Sequence, residues 1–437
     1  MATLQYDKTG RLLFTKEMKN EYTLLMPMML PIHFGFFEEI FRLHGYNAVI
    51  LDTTGQDIID EGLRSVHNDF CYPALLTTGQ LLHALKSGEY DMNKTALVMS
   101  QTGGGCRASN YIHIIRKALK NQNLEHVPVI SFNLVGMEKN PGFKMTPKII
   151  AQLTYAVIYG DLLMWISNQT RPYEKNSGDT DRLLESWMRA IKREIQKSTS
   201  FLPKAANEKF IQIVRDFHAI ERTTQDKIKV GIVGEIYIKY AALGNNNLEE
   251  FLHNEDVEVV MPPLLDFALY SLNNVLVDYR IYHKGYIKTT VVKWIFRFIY
   301  ALQDKVNSAI ANYSDFRPMQ SFERIKELVK GYVDTGNKMG EGWLLTAEML
   351  ELIDAGIDNI ICTQPFGCLP NHIVGKGMIR RIKQNHPESN IVAIDFDPGA
   401  TKINQENRIK LMLATARRNM QSTSCRIPAL ETGKQTV

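Results

Sequence analysis

Four of the five cysteines in this chain stand where a thiolate could bind metal or attack a substrate. Cys71 lies at a junction between two predicted helices, and Cys106 follows the predicted strand TALVMS and the turn QTGGG. Cys362 ends the predicted strand NIIC, and Cys368 lies in the loop just beyond it. Open α/β sheets bind ligands at the carboxyl ends of their strands. The pattern therefore predicts that three of these thiols lie along such edges, whereas Cys425 belongs to a polar tail.

The surroundings of these thiols suit a sulfur-bound metal cluster. Three consecutive glycines, which include Gly104 and Gly105, precede Cys106; they remove side-chain bulk and allow positive φ. Backbone N–H groups could then approach bound sulfide and tune the potential of a cluster. Helices predicted to begin after Cys106 and Cys368 would stabilise thiolate charge with their N-termini.

Other uses of the cysteines stay open from the residues alone. The wide spacings do not fit a zinc ribbon, although a dispersed zinc site fits the same residues. A nucleophilic cysteine would need a base, for which His67 and His372 are the candidates. The segment GGGCRA at 103–108, with Glu125 further on, matches a dinucleotide fingerprint. We discount that match because it follows the third predicted strand and not the first.

Composition narrows the class of protein. The chain has 437 residues, of which 45% are hydrophobic and 22% charged, which is typical of a globular protein with two or three domains. A net charge of +4 without a long basic tract argues against a nucleic-acid partner. The N-terminus lacks an apolar signal core, and the run YAVIYGDLLMWIS contains Asp161 and is short for a membrane span. We therefore expect a cytoplasmic protein without a membrane partner.

The elements that must position the cysteines form an α/β pattern. Apolar runs alternate with amphipathic helices, which predicts flavodoxin-like or Rossmann-like parallel sheets in two or three domains with helical inserts. We expect an N-terminal α/β domain over 1–145, a helical insert or linker over 146–225, and a second α/β domain over 226–437. The last contains a helical insert at about 267–340, and its aromatics are expected to form a packed layer or a subunit interface.

Four segments resemble the 2-hydroxyacyl-CoA dehydratase family. They are VHNDFCYPALLTTGQLLHALKSGEYD, SQTGGGCRASNYIHIIRKAL, GEIYIKY and QPFGCLPNHIVGKGMIR. More closely, they are similar to the stand-alone form of the C-terminal portion of large acyl-CoA dehydratase activase proteins. The resemblance covers residues from about 20 to 415.

The resemblance implies a cluster-binding subunit of flavodoxin-like domains. Cys71, Cys106 and Cys368 would be the cluster ligands, with Cys362 as a candidate fourth, around a [4Fe-4S] cluster. One branch of the family instead carries a double-cubane [8Fe-9S] cluster, which would need two chains of this kind, as in a homodimer. A separate homodimeric ATPase activator with its own [4Fe-4S] cluster would deliver the electrons, and this chain has no P-loop of its own.

The same resemblance leaves the biochemical role open between classes. The chain is expected to be the iron–sulfur component of an ATP-dependent, low-potential reductase acting on an acyl-CoA or small-molecule substrate. The alternatives are an (R)-2-hydroxyacyl-CoA dehydratase subunit, a lyase, and a non-catalytic electron carrier whose cluster is bound by four cysteines. A metal-free enzyme that uses Cys106 as its nucleophile is a third class.

Four further residues are expected to contact the cofactor. Gly104 and Gly105 lie in the turn before Cys106, and Arg107 follows it as an electrostatic partner of an anionic cluster or a CoA phosphate. Glu235 follows the predicted strand KIKVGIVG, at the edge where the other loops converge.

Overall fold

A computed structural model describes residues 3–101, 103–133, 137–197 and 203–424 of the chain, so Cys425 lies outside the described part. The first third is an α/β unit, preceded by a short antiparallel hairpin. Its elements are β1 (Gln5–Tyr6), β2 (Leu12–Leu13), α1 (Met18–Glu21), β3 (Thr23–Pro27), α2 (Pro31–Leu43), β4 (Asn47–Leu51), α3 (Gln56–Ser65), α4 (Tyr72–Lys86), β5 (Thr95–Ser100), α5 (Tyr111–Asn121) and β6 (Val129–Phe132).

The rest of the chain contains a helical layer and a second α/β unit with its own helices. These elements are α6 (Pro147–Thr170), α7 (Asp179–Lys197), α8 (Pro203–His218), β7 (Lys229–Gly234), α9 (Ile236–Tyr240), α10 (Ala242–Asn245), α11 (Leu248–Asn254), β8 (Glu258–Val260), α12 (Leu264–Tyr282), α13 (Tyr286–Tyr313), α14 (Phe322–Leu328), α15 (Leu344–Asp354), β9 (Asn359–Pro365), α16 (Ile379–Asn385), β10 (Asn390–Phe396) and α17 (Lys402–Ser424).

The two larger sheets have the same topology. The first has the strand order β4-β3-β5-β6 and the second β10-β9-β7-β8, and neighbouring strands in both are parallel. In each sheet the unit's first strand lies between its second and third strands. The chain therefore changes direction across the sheet beside the first strand, and ligands bind at this switch point in open α/β sheets. The predicted α/β fold with parallel sheets is confirmed.

Burial of both faces explains why the strands are apolar throughout. The central strands β3, β5, β7 and β9 carry runs such as TALVMS and KVGIVG, whose residues are nearly all buried. Helices cover both faces of a parallel sheet, so polar residues have no solvent-facing side to occupy. One hydrophobic cluster joins Val98 of the first sheet, Leu162 of α6 and Val233 of the second sheet. The two α/β units therefore share a continuous core.

Helix α6 is the central helix of this shared core. Within the described residues, the segment Pro147–Tyr173 is the one stretch long and apolar enough to cross a membrane, and 78% of its apolar window is buried inside the protein. The Asp161 carboxylate accepts hydrogen bonds from the backbone N–H groups of Leu264 and Leu265, at 2.8 and 2.9 Å, and contacts His33 Nε2 at 2.8 Å. The apolar surface of α6 thus packs against the rest of the protein.

Two short segments that follow strands of the second sheet form local helical structure. The segment after β7 forms the short helix α9, because the Glu235 carboxylate caps it by accepting from the Ile238 N–H at 2.9 Å. The helix predicted to begin after Cys368 is broken into a π-helical turn (Asn371–Gly375), a 3₁₀ turn (Lys376–Met378) and α16. The Asn371 side chain donates to the carbonyl of Thr363 at 2.6 Å.

Candidate metal centre

Two of the cysteines occupy equivalent positions in the two sheets. Cys106 lies in the loop that follows β5, the third strand of the first unit, and Cys368 lies in the loop that follows β9, the third strand of the second unit. Glu235 follows β7, the first strand of the second unit. All three residues therefore stand at the switch-point edges of the sheets, as the parallel arrangement predicts.

The loop around Cys71 packs directly on the loop that carries Cys368. Cys71 immediately precedes α4, and the next N–H, of Tyr72, donates to the carbonyl of Phe366 at 2.9 Å. Gly367 has a φ of +71°, and a Cβ built on it would lie 3.0 Å from the Cα of Cys71. Only glycine adopts this backbone conformation easily and leaves room for the contact. The two α/β units therefore meet at two of the thiols.

A glycine-rich segment brings Cys106 to the same place. We call residues 334–343 the cover loop. Gly340, with φ +60°, lies so close to its neighbours that a Cβ would stand 3.0 Å from Pro370 Cγ and 3.7 Å from Cys106 Cβ. Met339 of the same loop lies against Gly105, where any side chain would collide with its sulfur. The cover loop thus joins the Cys106 turn to the Cys368 loop.

Three thiols share one electrostatic environment, which we call the cysteine pocket: Cys71, Cys106 and Cys368. Burial, and then the nearby Glu235 and Cys106, raise the pKa of Cys71 to about 11, although a 2.8 Å hydrogen bond with Tyr111 Oη partly offsets this. Burial likewise raises the pKa of Cys106 and Cys368, and the charges of Glu341 and Glu235 raise both further. Without a cationic occupant, the three thiols are therefore protonated at neutral pH.

Two buried carboxyl groups line the pocket. Glu235 Oε2 accepts from the N–H of Ile238, and Glu341 Oε1 accepts from the N–H of Ile236 at 3.1 Å. Burial and the neighbouring Glu341 raise the pKa of Glu235 to about 8, and burial raises that of Glu341. A site lined by three thiols and two carboxyl groups favours positive charge, and a metal centre would reverse these pKa shifts.

Cys362 is not grouped with these thiols. The expectation that it ends its strand is wrong, because β9 pairs with both β7 and β10 and continues to Pro365. Cys362 is fully buried in mid-strand, where its neighbours are Val233 and Ala393, and its Sγ lies 3.7 Å from Asn371 Oδ1. Burial, followed by Glu348, raises its pKa to about 12. The other three cysteines are not among the charges that act on it.

The residues expected to contact the cofactor differ in what they do. Glu235 lies in the pocket, and Gly105 packs under Met339. Gly104 accepts at its carbonyl from Ser109 Oγ at 2.8 Å. The exposed Arg107 guanidinium lies 5.2 Å from the ring centre of Phe70 and donates to the carbonyl of Asp69. Through these two contacts Arg107 holds the Cys106 turn against the residues that immediately precede Cys71.

The two candidate bases for a nucleophilic cysteine are both exposed. The Nδ1 atom of His67 accepts from the N–H of Asp69 at 3.2 Å. The His372 backbone N–H donates to the carbonyl of Cys368 at 3.1 Å, but neither imidazole ring hydrogen-bonds a cysteine thiol among the hydrogen bonds of the described ranges. Together with the raised thiol pKa values, this leaves the nucleophile hypothesis without structural support.

Sequence reasoning missed Tyr111 and Glu341. Tyr111 lies five residues beyond Cys106, inside one of the segments that carry the family resemblance, so its position offered a signal. Glu341 stands in GNKMGEGW, a segment dense in glycine inside a stretch otherwise rich in helix. Glycine density in a loop between helices indicates close backbone contacts.

The donor set fits a cluster better than a single ion. Among the described residues, no group of three or more His, Cys, Asp and Glu is arranged to hold one metal ion. The thiolates of an iron–sulfur cluster bind separate irons, so they surround a larger volume than the ligands of one ion do. Three soft sulfur donors are the ligand type that iron–sulfur clusters use.

Comparison of the sequence with protein-family models gives no match, and none of the curated proteins matches it. Assignment of the site therefore depends on its own residues.

Proposed function

We propose that this chain is the iron–sulfur component of an ATP-dependent, low-potential reductase or dehydratase-like system. Cys71, Cys106 and Cys368 would hold a [4Fe-4S] cluster. The observation that carries the proposal is that these three thiols, supplied by two α/β units, share one buried pocket with Glu235 and Glu341. When bound, such a cluster would take up a single electron and pass it on.

The residues of the pocket support a low reduction potential. Cys71 and Cys368 are buried and Cys106 is half-buried, and both carboxyl groups raise the cost of further negative charge nearby. A strong external driving force would then be needed to deliver an electron. This supports the separate homodimeric ATPase with its own [4Fe-4S] cluster as the electron donor.

The position of Cys362 supports three protein ligands. Its thiol lies in mid-strand and is bonded towards Asn371, so it does not compete for the pocket. Three thiols leave one iron of a four-iron cluster without a protein ligand, and a substrate could use that position. This favours a reductase or a 2-hydroxyacyl-CoA dehydratase subunit, acting on an acyl-CoA or small molecule, over a carrier with four cysteine ligands. A double cubane would need the thiols of a second chain.

Iron and sulfide analysis of anaerobically reconstituted protein, with EPR of the dithionite-reduced sample, tests the proposal. We expect about four irons per chain and a cluster signal. Cys71→Ala, Cys106→Ala and Cys368→Ala should each lose the signal and most of the iron. Cys362→Ala is the matched control, because it removes a buried thiol outside the pocket, and it should keep both.

Two results would contradict parts of the proposed cluster and its ligand set. If the protein contains no iron after reconstitution, the chain does not bind a cluster, and a different class of protein is favoured. Loss of the cluster in Cys362→Ala, in a variant that remains folded, would instead favour four cysteine ligands and the electron-carrier function.

A further inference from the structure

The end of the hairpin formed by α12 and α13 projects into solvent. Every residue from 280 to 288 is exposed, which covers the last turn of α12, the connection and the first residues of α13. Elsewhere these helices are packed, since Val292, Phe296 and Ile299 on the other side of α13 are buried. The hairpin therefore has one side in the core and one side that is largely exposed.

The exposed side is strongly apolar. We call it the hairpin face and define it by Tyr282, Tyr286, Ile287, Val291, Trp294 and Phe298, all of which are exposed. At its inner end the ring centre of Phe298 lies 6.4 Å from that of Tyr155 on α6. Ile287, Val291, Trp294 and Phe298 follow one another on successive turns of one side of α13. Ile287 is 78% and Trp294 66% exposed. A contiguous apolar surface of this kind marks a binding surface.

The charged residues of the hairpin segment that carries this face are all positive. From residue 279 to residue 303 the sequence has no Asp or Glu, but it contains Arg280, Lys284, Lys288, Lys293 and Arg297. Arg280 pairs with Asp334 at 3.1 Å, at the base of the hairpin. The Arg297 guanidinium lies 5.5 Å from the ring centre of Trp294. Lys284, Lys288 and Lys293 are exposed and form no ion pair among the described residues.

These charges exclude one occupant and favour another. In a two-fold dimer the same surface faces itself, so the cations of one hairpin would meet those of its copy. Helices that lie on a lipid surface combine an apolar side rich in Trp, Phe and Leu with Lys and Arg on the polar side. Tyr and Trp also prefer the level of the lipid headgroups.

We propose that the hairpin face docks the protein on a membrane surface that contains anionic lipid. Tyr282, Tyr286 and Ile287, on the projecting end, would enter the headgroup region first. Lys288, Lys293 and Arg297 would extend their apolar stems beside the face and bring their charges to the lipid phosphates. The contact is peripheral, because α6 is buried in the core. The proposal does not depend on the proposed cluster.

Flotation with vesicles tests the proposal directly on the full chain. We expect binding to phosphatidylcholine vesicles that contain phosphatidylglycerol and little binding to phosphatidylcholine alone. Each cation near an anionic surface contributes about a five-fold factor, so K288Q, K293Q and R297Q together should weaken binding ~100-fold. The matched control is I403S with L411S, which removes two exposed apolar side chains on α17 and should leave binding unchanged.

Tryptophan fluorescence gives a second readout that reports the position of the contact. The chain has four tryptophans, and Trp165, Trp187 and Trp343 are buried whereas Trp294 is exposed. Anionic vesicles should shift the emission to shorter wavelength, and W294F should abolish the shift while retaining binding. Equal binding by the triple Gln variant, or no binding to either vesicle, would overturn the proposal. So would a stable dimer in sedimentation equilibrium that V291D converts to a monomer.

Discussion

The two sheets share one strand order but contribute opposite chemistry to the pocket. The first unit supplies Cys71 and Cys106, with Tyr111 bonded to the first of them. The second unit supplies Cys368, and it also contributes the buried acids Glu235 and Glu341. The loops of the two units therefore contribute different groups. The first unit supplies two of the three thiols, and the second supplies both buried carboxyl groups.

The second unit also contains buried charged groups in its interior, below the pocket. Lys239 on α9 pairs with Glu348 on α15 at 2.8 Å, with both side chains almost fully buried. Glu351 and Asp266 lie in the same interior, and burial raises the pKa of both. Buried charge is tolerated only when it is paired or neutralised. Neither unit therefore forms the site alone. The second unit needs the buried Lys239 ammonium group to stabilise its buried carboxyl groups.

Removal of the Lys239 ammonium group should have the largest effect on the free energy of unfolding. Lys239→Met leaves Glu348 without its partner among other acids, and loss of one member of a buried ion pair costs about 3–5 kcal/mol. The free energy of unfolding, measured by urea titration, should fall by this amount. Lys376→Met is the control, because its pair with Asp395 is exposed and should contribute at most about 1 kcal/mol. Equal losses in the two variants would contradict the interior role of Lys239.

The contact between the two units can be tested at Gly367. Gly367→Ala meets a left-handed φ and also places a methyl group against Cys71, so we expect a loss of about 2–4 kcal/mol in the free energy of unfolding. Gly356 has a similar φ of +74° but open space around it, so Gly356→Ala should cost only about 1–2 kcal/mol. The difference measures the packing of the Cys71 and Cys368 loops. No difference would mean that the loops do not touch.

A third effect concerns pH and the buried acid Glu351. Burial, and then Glu348, raise its pKa to about 8 in the fold, from an ordinary value of 4.5. The folded state then binds the extra proton between these values, so stability contributed by this group declines as the pH rises from about 5 to about 8. Glu351→Gln should flatten the decline in urea titrations across this range. Glu327→Gln, which changes an exposed acid, should leave it unchanged, and a steeper decline in Glu351→Gln would contradict the assignment.

Sequence patterns predicted the parallel sheets and the positions of Cys106 and Cys368, because both follow from strand order and edge chemistry. The sequence patterns gave a wrong prediction where pairing with neighbouring strands determines how long a strand is. Cys362 is in mid-strand because β9 has partners on both sides, which its own residues do not reveal. Glu341 reaches the pocket through the cover loop, whose position depends on packing between distant segments.

The proposed metal centre requires that thiols from both units meet in one pocket and that Cys362 stays outside it. Mild oxidation of the metal-free protein, followed by peptide mapping of the disulfides, tests this most directly. The Cys71 and Cys368 loops touch, and Cys71 raises the pKa of Cys368 although the two are far apart in sequence. Cys106 likewise raises the pKa of Cys71. We therefore expect disulfides from Cys71 to Cys368 or Cys106, with Cys362 left as a free thiol. A disulfide between the sequence neighbours Cys362 and Cys368, with Cys71 free, would contradict the claim.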